Sequence, residues 1–356
     1  MIHPDSRNLE WIRKVAVENK ISDLILIEKS IRAFSLLESL ALSGCPFVFK
    51  GGTALMLHTD SAKRLSIDID IICPPNTNIE EFLIKHSTEY GFESIKLVER
   101  ISANNIPKAH VKFFYEVAYF TNTSTEYIIL DILFEANLYQ NIEQIPLKSR
   151  LLKLEGEPIN VNVPSKADLL GDKLTAFAPN TTGIPYFKGE KDFSMEIIKQ
   201  LFDIASLFDE IENLTVVSST FRKFASTELL YRNLDSHNVS EVLNDIFQTS
   251  LCICLRGQVE QETFKLLQRG IKRIKSFIHS ENYTIDSAIT NASKAAYLSV
   301  LIAKGKNTIK HFDPNNTEEL RDVFLKEPLN KKLNKLKKTN IEAFFYWNEI
   351  SNMHFY

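Results

Sequence analysis

The residues best suited to chemistry in this chain lie between positions 47 and 71. Phe47-Val48-Phe49-Lys50 reads as a short β-run, Gly51-Gly52-Thr53-Ala54-Leu55 follows it, and Arg64-Leu65-Ser66-Ile67-Asp68-Ile69-Asp70-Ile71 comes next. Two glycines and a hydroxyl residue opening a helix let backbone N–H groups approach a phosphate, where the helix N-terminus also favours negative charge. Thr53 is placed to add a hydroxyl donor. Two glycines alone more often make only a tight turn. The Asp-x-Asp segment carries more. On a strand, Asp68 and Asp70 project to one face while Ile67, Ile69 and Ile71 project to the other. Such neighbouring charges repel, and burying them unpaired costs several kcal/mol. A divalent cation removes the conflict. Hard oxygen donors beside a phosphate-binding turn suit Mg²⁺, which takes a few carboxylates and fills its shell with water and substrate phosphate. The plain alternative is a strand with one solvated polar face and two incidental acids. The glycine turn upstream tips the reading towards the metal.

Asp131 is a third candidate, a lone acid within Ile128-Ile129-Leu130-Asp131-Ile132-Leu133-Phe134, where a fully buried strand would not normally place one. It could complete a two-metal clamp on the attacking and leaving oxygens or act as base towards an acceptor hydroxyl. Equally, it could be an acid at a strand end, solvated or paired with a lysine.

The elements that must position these residues change period along the chain. Residues 5 to 43 read as two helices, the second with a stripe of Leu24, Ile27, Ile31, Phe34, Leu37 and Leu40 that ends at Gly44. Short β-rich runs follow at Phe47 to Phe49, Leu65 to Ile72, Ser94 to Val98, His110 to Tyr119, Tyr127 to Phe134 and Ile159 to Val163, with a helix expected from Ile79 to Tyr90. Beyond Pro164-Ser165, where Ser165 and Asp168 have capping-box spacing, the chain reads as helical to its end. The expectation is an α+β fold: residues 1–164 form a lobe with a mixed β-sheet flanked by helices, and residues 165–356 form an all-α lobe.

Composition limits the partners. The 356 residues are 44% hydrophobic and 24% charged, which excludes collagen-like and disordered chains. A net charge of −3 argues for no nucleic-acid partner by itself, so only a local basic patch could favour one. Cys45, Cys73, Cys252 and Cys254 form no C-x-x-C pair, so buried reduced thiols are expected. The N-terminus lacks a basic segment followed by an apolar run, and no stretch of apolar residues is long enough to span a membrane. A cytoplasmic location with no membrane partner is expected.

Lys50-Gly51-Gly52-Thr53-Ala54-Leu55, followed by Arg64-x-Ser66-x-Asp68-Ile69-Asp70, resembles the signature of the abortive-infection AbiE-type toxins of the polymerase-β-like nucleotidyltransferase superfamily, which are similar to the MenT toxins. Two later motifs extend the resemblance over roughly 45 to 210. Val163-Pro164-Ser165 through Gly171-Asp172-Lys173-Leu174-Thr175-Ala176 matches the family's helical lysine at Lys173, and Lys199-Gln200-Leu201-Phe202-Asp203-Ile204 matches its Lys-x-x-x-Asp segment. Gln200 departs from the family, which often has Asp there. Read from the residues alone, Lys173 is a helix lysine next to apolar neighbours. Lys199 and Asp203, four apart, make an ordinary helical ion pair.

The resemblance implies a Mg²⁺-dependent enzyme with an N-terminal nucleotidyltransferase lobe, moving a nucleoside monophosphate from an NTP to a hydroxyl. It assigns Asp68, Asp70 and Asp131 to the metal, and Lys50, Gly51, Gly52, Thr53, Arg64, Ser66, Lys173 and Lys199 to the nucleotide. Within that set Gly52, Thr53 and Lys173 take the β and γ phosphates, and Arg64 and Ser66 brace the triphosphate or the metal loop. Asp203 orients Lys173 or the acceptor. The implied acceptor is the 3' end of tRNA, with a translation block as the result, and the implied partner is an antitoxin encoded alongside. The alternatives are transfer to a protein or small molecule, or a catalytically silent nucleotide-binding module. A second basic region, Lys331, Lys332, Lys335, Lys337 and Lys338 with Lys272, Arg273 and Lys275, precedes Phe344-Phe345-Tyr346-Trp347 and could grip phosphates and stack bases. A solvated helix face and a run of core aromatics are the plainer account.

Overall fold

The computed structural model describes residues 1–353 apart from 60–62, 86, 102–106 and 120–123. The chain divides into two compact units, one of Met1–Ser165 with Ser276–Asn282, the other of Lys166–Lys275 with Tyr283–Tyr356.

In the first unit, a 3₁₀ turn (Pro4–Arg7) precedes helices α1 (Leu9–Asn19) and α2 (Leu24–Ser43). The Asp23 carboxylate accepts from the Leu26 N–H at 3.0 Å to cap α2, and Gly44 ends it in the left-handed region at φ 83°. Ile27, Ile31, Phe34, Leu37 and Leu40 are all buried, as the stripe predicts. Behind α2 lies a five-stranded sheet of order β1-β2-β5-β4-β3, made of β1 (Val48–Lys50), β2 (Ile69–Cys73), β3 (Ser94–Ile101), β4 (Pro107–Glu116) and β5 (Thr125–Phe134). It is mixed: β2 and β5 run parallel, and the other neighbours are antiparallel. Strict alternation on β4 and β5 decides which face is core. Ala109, Val111, Phe113 and Tyr115 are buried together with Ile128, Leu130 and Ile132, while the residues between them are only partly covered. A second, two-stranded sheet pairs β6 (Ile142–Pro146) with β7 (Asn160–Pro164).

Two expectations change here. The helix predicted from Ile79 to Tyr90 shrinks to one turn, α4 (Glu80–Leu83). Ile79, Leu83 and Tyr90 are buried as the helix reading requires, but beyond Leu83 turn bonds such as Tyr90 N–H to Ser87 O at 3.2 Å replace the helical ladder. The strand predicted from Leu65 begins only at Ile69. Leu65 instead donates its N–H to Phe277 O at 2.8 Å, and Arg64 bridges Ile278, so a segment far along the sequence claims this backbone.

The second unit is helical but for a small hairpin of β8 (Phe187–Lys188) and β9 (Lys191–Asp192). Its helices are α5 (Lys166–Ala176), α6 (Ser194–Phe208), α7 (Thr215–Tyr231), α8 (Val239–Cys254), α9 (Gln261–Arg273) and α10 (Ile285–Ala303), then the short α11 (Asn330–Leu333), α12 (Leu336–Thr339) and α13 (Ile341–Asn352). Gly171 lets α5 press on α7, since a Cβ there would lie 2.8 Å from Val217 O. The aromatic run near the C-terminus is core: Phe344, Tyr346 and Trp347 are buried, with Phe247 edge-on to Trp347 at 5.6 Å. All four cysteines are buried and reduced. Among the described residues no helix is long and apolar enough to cross a membrane.

Candidate active site

In the first unit, β1 delivers the chain to Gly51, which opens α3 (Gly51–His58) at φ +80°, a conformation that favours glycine. Space requires glycine as well. A Cβ at Gly51 would lie 2.1 Å from Asp70 Oδ2, and one at Gly52 would lie 2.6 Å from Arg64 Nη2 and 2.9 Å from Ser66 Oγ. The glycine turn is therefore seated directly on the Asp-x-Asp segment. Thr53 fastens the two together, donating its buried hydroxyl to Asp68 O at 2.6 Å. Its side chain holds the aspartate loop, and the backbone N–H groups at the start of α3 are what the turn offers an anion. Arg64 is buried, donates to Leu65 O at 3.0 Å and lies against Gly52, so Arg64 and Ser66 brace the turn from below.

Asp68 is exposed one residue ahead of β2, and Asp70 is half-buried within it. Register sets the neighbours of Asp70: Lys50 of β1 on one side and Asp131 of β5 on the other, with His110 of β4 next to Asp131. Cross-strand partners share a face. Lys50, Asp70, Asp131 and His110 thus form one row across four strands. His110 Nδ1 makes a short contact with Asp131 Oδ1, and the two side chains are 22% and 39% exposed. The partner of Asp131 is a histidine, not the lysine that the sequence left open.

Among the described residues, no group of three His, Cys, Asp or Glu side chains is arranged to hold a metal ion. The chemistry of the donors present nonetheless suits a hard divalent cation. Asp68 and Asp70 are carboxylates two positions apart beside the glycine turn, and Mg²⁺ typically binds through one or two carboxylates plus substrate phosphate.

The remaining motif residues lie in the second unit. Lys173 of α5 is 7% exposed and places Nζ 2.9 Å from Oδ2 of the fully buried Asp203 of α6. It also donates to Gln200 Oε1 at 3.0 Å. Gln200 and Asp203, three apart on α6, present one face to the ammonium. Lys199 is half-buried on the same helix.

The model of the family described as "Nucleotidyl transferase AbiEii toxin, Type IV TA system" matches residues 35–281, a span that includes every motif residue from Lys50 to Asp203. The chain belongs to the AbiEii family. It is a nucleotidyltransferase enzyme of the toxin component of type IV toxin–antitoxin systems. Among solved structures it is similar to MenT4, a nucleotidyltransferase toxin from Mycobacterium tuberculosis, over 95% of this chain and 98% of that one. Identity is 11% and the TM-score 0.49, a likeness on which nothing further rests. No curated protein sequence matches the chain.

One residue of this AbiEii protein has no place in the sequence motifs, and another is there only as a departure from them. His110 sits 21 residues from Asp131 in sequence, and only the β4–β5 register brings them together. The alternation of β4 does place it on the face of Lys108 and Lys112, which was the one available signal. Gln200 stood out as a departure from the family pattern; its amide oxygen accepts from Lys173, the kind of contact an acid there would also make.

Proposed function

We propose that this AbiEii toxin transfers a nucleoside monophosphate from an NTP to a hydroxyl at the 3' end of tRNA, releasing pyrophosphate and blocking translation. The observation that carries the reading is the Asp70 carboxylate packed against Gly51, in one row with Lys50 and Asp131. Asp68 and Asp70 would hold Mg²⁺, which when bound supplies charge neutralisation at the reacting phosphate. The backbone N–H groups of Gly52 and Thr53 bind phosphate oxygens at the start of α3. Arg64 and Ser66 keep that turn in place. Lys50 adds a cation beside Asp70. Asp131, held at Oδ1 by His110, faces the acceptor as base and takes the proton of the attacking hydroxyl at its other oxygen, or would join Asp68 and Asp70 in holding the metal. Lys173, with Asp203 and Gln200 fixing its ammonium, serves the triphosphate as a point charge, and Lys199 supports that helix. Rate enhancement then comes from positioning and charge neutralisation. An antitoxin encoded with the toxin is the expected partner.

The test is incubation of the protein with each α-labelled NTP and total RNA, with sequencing of RNA 3' ends. Label on tRNA ends that disappears with EDTA and in Asp70→Ala is the expected result. Full activity of folded Asp70→Ala overturns the site, and label on protein in place of RNA overturns the acceptor.

A further inference from the structure

The sheet face that carries Asp70 and Asp131 continues beyond them as a basic and aromatic surface. Two residues along the strands from His110, a step of about 7 Å, register sets Lys96 of β3 opposite Lys112 of β4. Two further on, Phe114 stands between Ser94 and Tyr127. On the other side of His110 comes Lys108. Lys96 is exposed, and Lys108, Lys112, Phe114 and Tyr127 are half-covered, while the intervening β4 residues are buried on the opposite face. Lys112 Nζ lies 4.1 Å from the Tyr127 ring centroid, and the Phe114 and Tyr127 centroids are 5.6 Å apart. Among the described residues, no carboxylate interrupts this surface between Asp131 and Glu116 at its far margin.

Structural needs account for only part of it. Lysine on an edge strand discourages pairing with another chain, which explains Lys96 on β3. It does not explain Lys108 or Lys112, because β4 is paired on both sides. Like charges set directly opposite one another weaken a sheet, so the Lys96–Lys112 pair works against stability. Lysines beside aromatic rings are what a single nucleic-acid strand needs, phosphates on the ammoniums and bases on the rings. The aromatic run that follows the C-terminal lysines, Phe344, Tyr346 and Trp347, is buried, and among those lysines Lys337 lies 4.2 Å from the ring centroid of the exposed Phe324.

We propose that this face docks single-stranded RNA leading into the Asp70–Asp131 row, with Lys96, Lys108 and Lys112 on phosphates and Tyr127 and Phe114 against a base. The proposal rests on the reading of that row as the transfer site. Its test uses the full chain and a fluorescent single-stranded RNA oligonucleotide, titrated over a range of salt. Wild-type affinity falls as salt rises. In the double variant Lys96→Glu/Lys112→Glu affinity drops about tenfold or more, and the slope of log affinity against log salt shrinks by about 1.4, at roughly 0.7 per lost phosphate contact. The milder Lys96→Gln/Lys112→Gln, checked by thermal unfolding, moves the same way. Lys14→Glu/Lys265→Glu, equal in charge but elsewhere, leaves the slope unchanged. Wild-type slope and affinity in the glutamine pair overturn the proposal, as does a wild-type protein that binds no RNA or binds it independently of salt. The outcomes separate from those of the transfer reading. RNA bound through this face but never labelled by any NTP sinks the transfer reading alone, and RNA labelled at the wild-type rate by the glutamine pair sinks the surface alone.

Discussion

Gly51→Ala isolates the contact on which the proposed chemistry depends. An added Cβ falls 2.1 Å from Asp70 Oδ2 and 2.9 Å from its Cγ, whereas real Cβ atoms keep at least 3.0 Å. The carboxylate must therefore withdraw by about 1 Å, a displacement that costs about 10²-fold in rate for a positioned catalytic group. Alanine at φ +80° also strains the backbone by about 1–2 kcal/mol. Gly44 separates the two effects, because it has nearly the same φ, +83°, and nothing within 4 Å of an added Cβ. Gly44→Ala should lose a few degrees in Tm from backbone strain alone, and Gly51→Ala more because of its added overlap, yet only Gly51→Ala should lose transfer. Initial rates with α-labelled NTP and RNA, alongside thermal melts, give both readouts. A Gly51→Ala enzyme within threefold of wild type, or a Gly44→Ala enzyme equally slowed, would falsify the idea that the turn positions Asp70.

Lys173→Met and Asp203→Ala each break a buried ion pair and should cost about 3–5 kcal/mol in urea unfolding followed by the buried Trp347, whereas Lys173→Met/Asp203→Leu recovers most of it. Single variants costing under about 1 kcal/mol contradict the burial argument; a stable double variant that transfers at the wild-type rate removes the pair from the chemistry. His110→Ala frees Asp131 to rotate and should slow transfer about tenfold, with recovery in His110→Asn, whose amide donates from near the Nδ1 position; an unchanged His110→Ala rate means the contact has no catalytic use. Burial pushes the Cys252 thiol up to about 12 and the Cys254 thiol up to about 11. Thiolate is therefore scarce at pH 8 and grows only as pH rises towards those values, so iodoacetamide at pH 8 should label both cysteines in urea and neither in the native protein. Native labelling at that pH refutes their burial.

What the sequence reveals depends on how local the cause is. The α2 stripe, its Gly44 terminus and the alternation along β4 and β5 are set by neighbours a few residues apart, and all were readable. β6 was missed because Ile142-Glu143-Gln144-Ile145-Pro146 lies mostly exposed in a two-stranded sheet and carries no burial alternation. The α4 region reads as helical because Ile79, Leu83 and Tyr90 recur at helical spacing and are indeed buried, but the backbone between them is held by turns after one helical turn. At the site, the nearness of the glycine turn and Asp-x-Asp was legible as a motif, yet the reason for each glycine lies in atoms of Asp70, Arg64 and Ser66 that only folding brings near. The Lys173–Asp203 pair is what the family resemblance implies; spacing instead sets Asp203 four residues from Lys199 as an ordinary exposed pair, so its burial against Lys173 left no local signal. His110 needed strand register, which is a property of pairs of segments and leaves no mark on either one.

Residues 276–282 form part of the first unit although more than a hundred residues of the second precede them. Through Phe277 and Ile278 they clasp Leu65 and Arg64, the stem of the loop that ends in Asp68 and Asp70. On the ribosome, where domains form in order as the chain emerges, the loop stays unlatched until about four-fifths of the protein has been made. A fragment cut at the first junction lacks the segment that pairs with this stem, so the loop's closure is the last act of the first unit's assembly.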